Sequence, residues 1–462
     1  MTATNSTAPH AFAVWWKDLE RWVIPTCILL GQSRPPGWTR DRIGTLVRQV
    51  TERVKAEPDK EYKMAGVKWY GEGVFHRETV RGDAMSASQV TPLVPGALIY
   101  NRLFAWKVSF AVVPPELVGC YVSNEFPQFI PDSARILSEY LYLFCTREAT
   151  IRAVNAASTG SSAVSRNRFK EEEFLNFEIL LPPLKEQKDI VARWRKAQDD
   201  IASAKARVAA ITIELEHGLL NQIGLEIEPP TPQRGAFALF WGDLERWDTF
   251  FYRKDFVALK HSLARINRKK LGDLASFISR PWKHESFSDG FFKYVEISSV
   301  SKEDGIFSSK VVGLKEAPSR ATTLICKGDL IISTTRPYLG AIAIVPEAYD
   351  NHVCSSGFAL VDSVDDTHIL KEYLLFFLKS QGGLKQMEQR MTGGLYPAIT
   401  QDELEQIEIP LPSLSVQKQM MKRVAAGREE IAREREAADR LARDINAEVE
   451  ALILGTKKVS EP

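Results

Sequence analysis

Two stretches of the chain carry an apolar or small residue at steps that alternate four and three. In the first, Ile190, Trp194, Ala197, Ile201, Ala204, Val208, Ile211 and Leu215 form one seam. In the second, Val424, Gly427, Ile431, Glu434, Ala438, Leu441 and Ile445 step the same way, with Leu452 beyond them. This is heptad spacing, so each stretch predicts a long helix whose seam packs on another helix, most simply the other one of this chain. Gly427 and Glu434 weaken the second seam without breaking its period. The rest of the pattern is one of short β-branched and aromatic runs cut by Gly, Pro, Ser and Asn, which predicts strands. KVVGLK (310–315), TTLICKGDLIIS (322–333) and AIAIV (341–345) are such runs, and ALIYNRLF (97–104) and VSFAVV (108–113) are earlier ones. Short helices are expected near 135–147 and 367–379, and IPLPSL (409–414) is a proline-punctuated strand or turn leading into the second long helix.

The elements come twice. AFAVWWKDLERW (11–22) returns as AFALFWGDLERW (236–247), identical at nine of twelve places, and LLPPLKEQK (180–188) returns as PLPSLSVQK (410–418). GALI (96–99) answers GDLI (328–331), VPPE (113–116) answers VPE (345–347), SEYLYLF (138–144) answers KEYLLFF (371–377), and Thr159-Gly160 answers Thr392-Gly393. Order is kept throughout and the offset drifts only from 225 to 233, close to half of 462 residues, so the chain is a tandem duplication. Two copies are too few for a solenoid. The expected organisation is a mixed α/β globule over 1–182, a long helix over 183–225 and a Pro-rich linker over 226–235. A second globule follows over 236–412, then a second long helix over 413–455 and a tail over 456–462. The repeated Asp-Leu-Glu-Arg-Trp element is expected to be architectural, with Trp22 and Trp247 packing where a globule meets a helix and the charged residues forming a local ion-pair network.

Composition adds little to this picture and removes several classes from it. Sixty Lys and Arg against fifty-nine Asp and Glu leave a net charge of +1, with 26% charged and 44% hydrophobic residues. A disordered chain, a collagen and a histone-like polycation are excluded, although a neutral total can still hide a basic face. No apolar run approaches the ~18–20 residues of a membrane span, and no signal peptide is evident. The five cysteines, 27, 120, 145, 326 and 354, form no C-x-x-C pair, which fits a reducing cytoplasm.

Catalytic signatures are sparse. Gly71-Glu72-Gly73 lacks the third glycine of a nucleotide-binding turn. Pro58-Asp59 with Glu61-Tyr62-Lys63 resembles nuclease metal carboxylates, but the two elements abut and read as a charged turn. Ser33-Arg34-Pro35-Pro36-Gly37-Trp38 faintly resembles a methyltransferase loop but has Gly where the stacking aromatic belongs. His352 and Cys354 have no second ligand pair, so a structural role is expected and no metal. Nucleic-acid signals are more pointed. Residues 253–283 hold nine Lys or Arg against Asp255 and Asp273, with Arg280, Trp282 and Lys283 among them. Such groups release counterions from phosphates, and a solvated basic face is the alternative. IYNRLFAWKVSF (99–110) and IISTTRPYLGAI (331–342) follow matched strands, and each offers an arginine, an aromatic and small polar groups. Arg can pair bidentately with guanine, while Ser, Thr and Asn reach phosphates or base edges. The DNA-contact candidates are therefore Arg77, Arg81, Asn101, Arg102, Trp106 and Lys107 in the first half. In the second they are Arg280, Trp282, Lys283, Thr334, Thr335, Arg336 and Tyr338. Arg102 and Arg336 are taken as matched positions, with ordinary salt-bridged surface arginines as the alternative.

Globule, L-P-P-L-x-x-Q-K helix, second globule and second such helix resemble the specificity (S) subunit of Type I restriction–modification systems. Leu181-Pro182-Pro183-Leu184 with Gln187-Lys188, and Leu411-Pro412-Ser413-Leu414 with Gln417-Lys418, carry the likeness most strongly, Ser413 standing where a second proline is usual. KGDLIISTTRPYLGAIAIV (327–345) and the Thr-Gly-Gly turn (392–394) add to it, and the likeness runs from about 11 to 454. It implies an α+β fold of two pseudo-symmetric mixed α/β target recognition domains, separated by two long conserved helices packed as an antiparallel coiled coil. Each domain would read one half of a split double-stranded DNA site. The helices would set the spacer and dock two modification subunits, which bind S-adenosylmethionine and methylate adenine. Motor–nuclease restriction subunits would complete a cytoplasmic complex, and this chain would hold no cofactor and perform no chemistry. A helix of about 35–40 residues reaches ~55–60 Å against ~34 Å for one DNA turn, which leaves room for a spacer. The alternatives are an unrecognised nuclease or methyltransferase in the same chain, or a coiled-coil scaffold that does not bind DNA.

Overall fold

The computed structural model describes residues 35–85, 87–158, 168–229, 241, 244–283, 287 and 289–459. The expectations for 11–22, including Trp22, for Thr159-Gly160 and for most of the linker lie outside the described residues. The chain divides into two compact units, one running to Ala204 and resuming at Ala437, the other spanning Lys205–Glu436.

In the first unit Val47–Gln49, Gln128–Pro131, Leu98–Tyr100 and Phe110–Val112 form a four-stranded antiparallel sheet in that order. A five-stranded sheet orders Val54–Lys55, Gln89–Pro92, Cys120–Val122, Glu61–Val67 and Val74–Arg81, with one parallel pair between Cys120–Val122 and Glu61–Val67. Thr39–Arg42 pairs with Glu178–Leu181. The helices are α1 (Ser138–Thr146), α2 (Glu148–Ala157), α3 (Glu171–Asn176) and the long α4 (Leu184–Gln222). Tyr100, Phe129, Phe169 and Phe174 meet in one buried aromatic cluster. At about 1.5–3 kcal/mol for each fully buried large side chain, that cluster anchors the four-stranded sheet to its helices.

The second unit repeats the plan. After α5 (Lys254–Ala264), Arg268–Lys270 pairs with Glu408–Pro410. A four-stranded sheet orders Ala275–Ile278, Phe358–Val364, Leu330–Ser333 and Ile342–Ile344, and another orders Lys310–Gly313, Phe291–Val295, His352–Ser355 and Ala321–Ile325. Its one parallel pair, Phe291–Val295 with His352–Ser355, is the counterpart of the parallel pair above. The run 322–333 is two strands, separated by a turn that holds Gly328 at φ +85°. Then come α6 (Lys371–Lys379), α7 (Gln381–Arg390), α8 (Gln401–Glu405) and the long α9 (Leu414–Ile453).

The glutamine of each L-P-x-L-x-x-Q-K motif explains why the motif repeats. Gln187 is fully buried, accepts the Leu137 N–H at the start of α1, and donates to Arg135 O and Pro182 O. Gln417 accepts the Leu370 N–H at the start of α6 and donates to His368 O and Pro412 O. One amide thus satisfies three backbone groups and ties a long helix to a globule helix. Both long helices end on a left-handed glycine, Gly224 and Gly455, and the following N–H returns to Leu220 O and Ala451 O respectively, a Schellman cap.

Long-helix segments pack antiparallel inside each unit. In the second, Arg207 pairs with Glu434, Leu215 meets Gly427, and Gln222 bonds Arg423, so numbers rise along α4 as they fall along α9. In the first, Arg193 of α4 pairs with Glu448 of α9. Ile190, Ile201, Val424, Ile445 and Leu452 of the predicted seam are buried, while Trp194, Val208, Ile211, Leu215, Ile431 and Leu441 are half-buried. The two weak seam positions have local reasons. A Cβ on Gly427 would fall 2.7 Å from Leu215 Cδ2, and Glu434 answers Arg207. Trp247 departs from expectation: it is 87% exposed and touches Trp241 edge-on, so it packs no junction. Its segment is held instead by Glu245 pairing with Lys260 and Arg390, and by Arg246 pairing with Glu403.

Candidate nucleic-acid interface

In the second unit the central strand Leu330–Ser333 delivers the chain into an exposed loop. Thr334 fixes its start, donating both N–H and hydroxyl to Gly357 O, and Ser333 Oγ bonds Thr335 O. The Thr-Gly-Gly segment is stitched alongside: Thr392 and Ala398 exchange backbone bonds, Ile399 N–H reaches Thr334 O, and Arg336 N–H reaches Pro397 O. Arg336 stands at φ +48°, a conformation costly for a side chain other than glycine, and its guanidinium lies 5.7 Å from the Tyr396 ring centre. Tyr338, Leu339, Leu395 and Tyr396 are exposed around it, Tyr396 by 70%. Four sequence candidates, Thr334, Thr335, Arg336 and Tyr338, thus share one loop. Leu395 and Tyr396 are additional surface residues of this site, and their signal in the sequence is an apolar-aromatic pair after a double glycine.

The counterpart in the first unit follows Leu98–Tyr100. Asn101 N–H donates to Ser109 O and its Oδ1 accepts the Leu103 N–H, so this near-buried side chain shapes the turn. Arg102 is half-buried and paired with Glu171. Trp106 Nε1 donates to Leu103 O, and the Lys107 ammonium sits 3.8 Å from the Trp69 ring centre. Tyr70 and Gly71, both with positive φ, bond Lys107 O and Val108 O, which brings the tip of the hairpin 61–81 beside this loop. Trp69 and the 72%-exposed Tyr70 join the surface there. Their signal in the sequence is the Gly71-Glu72-Gly73 turn, which shapes the hairpin tip.

The arginine correspondence needs correction. Arg102 N–H donates to Glu125 O as Thr334 N–H donates to Gly357 O, so Arg102 matches Thr334, and Phe104 matches Arg336. Short loops of different sequence defeat alignment by residue type. Other candidates are placed apart from the two loops or engaged within the fold. Arg81 faces Glu61 at the far end of the hairpin from Tyr70, about 20 Å away at ~3.3 Å per residue, and pairs with Asp59 and Asp83. Arg77, nearer the middle, pairs with Glu78. Arg280 is held by the nearly buried Asp329, which raises its pKa, while Trp282 packs on Phe292 and donates to Ala321 O. Lys283 is exposed. Within the basic stretch, Arg253, Lys260 and Arg268 also have carboxylate partners. The stretch is therefore not one solvated helix face: it continues from α5 into two strands.

His352 lies in a buried strand with Nδ1 bonded to Asp350 O, and burial holds its pKa down. Burial pushes the Cys354 thiol up to about 12, which keeps it protonated at neutral pH. No group of three or more metal-ligating residues occurs among the described residues, and no described helix is long and apolar enough to cross a membrane.

Both units therefore carry an aromatic-flanked loop at the same topological position, exposed at Arg336, Tyr338 and Leu339 in the second and half-buried beside the exposed Trp69 and Tyr70 in the first, on scaffolds with corresponding strand order. Comparison with known proteins agrees with that duplication. The model for the Type I restriction modification DNA specificity domain matches residues 103–224 and 266–437. A curated relative, the Type I restriction enzyme HindI specificity subunit of Haemophilus influenzae, is 25% identical over 153 residues, covering 33% of this chain and 32% of that protein. The chain thus aligns with about a third of that relative's length. A solved chain from a study of complex assembly and conformational transition of the type I R-M system is 18% identical, covering 92% of this chain and 99% of the other. Its TM-score of 0.55 supports the same fold. With its family model matched twice and over more than half its length, the chain belongs to the Type I restriction–modification DNA specificity family.

Proposed function

We propose that this chain is the recognition and assembly subunit of a Type I restriction–modification complex. Each β-rich unit reads one half of a bipartite double-stranded DNA target, and the long helices set the spacer and dock two modification subunits. The observation that carries this reading is a shared scaffold with different loop side chains: Arg336 and Tyr396 stand exposed in one unit, Trp69 and Tyr70 in the other, with the half-buried Lys107 against Trp69. A duplicated frame with divergent reading surfaces suits an asymmetric site. Adenine methylation with S-adenosylmethionine and the motor–nuclease activity belong to partner subunits in the cytoplasm, and this chain contributes no cofactor and no chemistry.

The test is a modified-base map of DNA from cells producing this chain with a co-purifying modification subunit, against cells lacking it. The expected result is one new adenine-methylated motif in two parts around a fixed gap. Inserting four residues near Ala204, about one helical turn, changes the gap or abolishes methylation. A stable complex that methylates no new motif overturns the proposal, and an unaltered gap after insertion overturns the spacer role.

A further inference from the structure

In the second unit α4, α9, the end of α6 and the turn at 302–304 line a half-open cavity of about 350 Å³. Leu215, Phe376, Val424 and Ile431 give it apolar walls. Lys379, the last residue of α6, lines it and is only 8% exposed. A buried ammonium costs several kcal/mol unless an anion or polar partners answer it. The nearby carboxylates are engaged elsewhere or stand in solvent. Glu216 pairs with Lys302 and accepts the Gln381 N–H, Asp304 pairs with Arg435, and Glu303 is exposed. Among the described residues no carboxylate bonds either Lys379 or Arg428, which lines the same cavity. The end of α6 supplies only the fractional negative charge of its carbonyls.

The matching junction in the first unit is solved internally. Arg147, directly after α1, has a side chain only 3% exposed and pairs with Glu450 of α9 through two bonds of 2.6 and 2.7 Å. There the chain provides its own carboxylate at the end of the globule helix. In the second unit Ser380 takes the place of Arg147, Lys379 stands one residue before it, and of the three carboxylates that line the cavity, Glu216, Glu303 and Asp304, none bonds that ammonium.

We infer that this cavity is a binding site for a small organic carboxylate, its anionic end on Lys379 and Arg428 and its apolar body against Leu215, Phe376, Val424 and Ile431. Walls from four separate segments suit a compact molecule. Burial brings the Lys379 pKa down to about 8, assisted by Arg428 and Lys302 and opposed by Glu303 and Asp304, with Glu216 and Arg435 on the surrounding walls. A bound anion therefore favours the charged ammonium, and raising the pH through that value weakens binding.

The probe is hexanoate, with hexanamide as its uncharged match, titrated calorimetrically into the full chain at neutral pH. One saturable site is expected, with hexanamide weaker by about tenfold or more. Lys379→Met weakens hexanoate similarly and removes its pH dependence. Arg428→Met, at an exposed position that carries no folding risk, weakens it as well. Absence of saturable hexanoate binding, equal binding of the two probes, or undiminished binding in Arg428→Met overturns the inference.

Discussion

Arg336 combines three properties that other arginines of the candidate loops lack. It is exposed, it is held in a left-handed backbone conformation by its bond to Pro397 O, and its guanidinium leans on Tyr396 rather than on a carboxylate. Arg102 and Arg280 are spent on Glu171 and Asp329. An uncommitted guanidinium keeps its forked donors for a base or a phosphate. Arg336→Ala should relax specificity at one half-site by about 1–3 kcal/mol, read by competition binding against a library varied at each position. An even loss across all sequences would make Arg336 a phosphate contact instead. The pairing that separates these arginines was hidden in the sequence, because Arg102 and Glu171, or Arg280 and Asp329, are brought together by the chain path and not by local spacing.

At the scale of elements, the two glutamine clamps do the same work at the two helix starts. Replacing Gln417 by Leu leaves the Leu370 N–H and the carbonyls of His368 and Pro412 without that partner in a buried place. The expected loss is at least about 3 kcal/mol, at about 1–3 kcal/mol for each of the three groups. Urea unfolding followed by far-UV dichroism measures it, with Gln401→Leu on the surface as control. A midpoint shift no larger than the control's would mean that the clamp is dispensable. The motif itself was legible as a repeat, and so were the long helices, since heptad spacing needs no tertiary information. The strand breaks were less so: the turn at Gly328 splits a run that reads as one strand.

For the whole molecule, duplication implies modularity. The strand orders of the two units correspond, down to one parallel pair in each. Exchanging residues from about 30 to 175 for the equivalent segment of another family member should therefore change one half-site and leave the other intact. Methylome sequencing of cells carrying the chimera reads both halves at once. A change in both halves would show that the units do not read independently.

The sequence by itself determined the duplication, the long helices with their seams, and the mixed α/β make-up of each globule, because each follows from local periodicity or from self-similarity along the chain. It also carried enough motif to name the family. Only the tertiary structure decided which cations are neutralised, that Phe104 and not Arg102 is the counterpart of Arg336, that Trp247 faces solvent, and that Gly427 makes room for Leu215. Those outcomes depend on residues brought together from far apart in the chain, as Arg147 and Glu450 are. Burial and partner choice are properties of the path the backbone takes, and side-chain spacing along a strand or helix does not encode them.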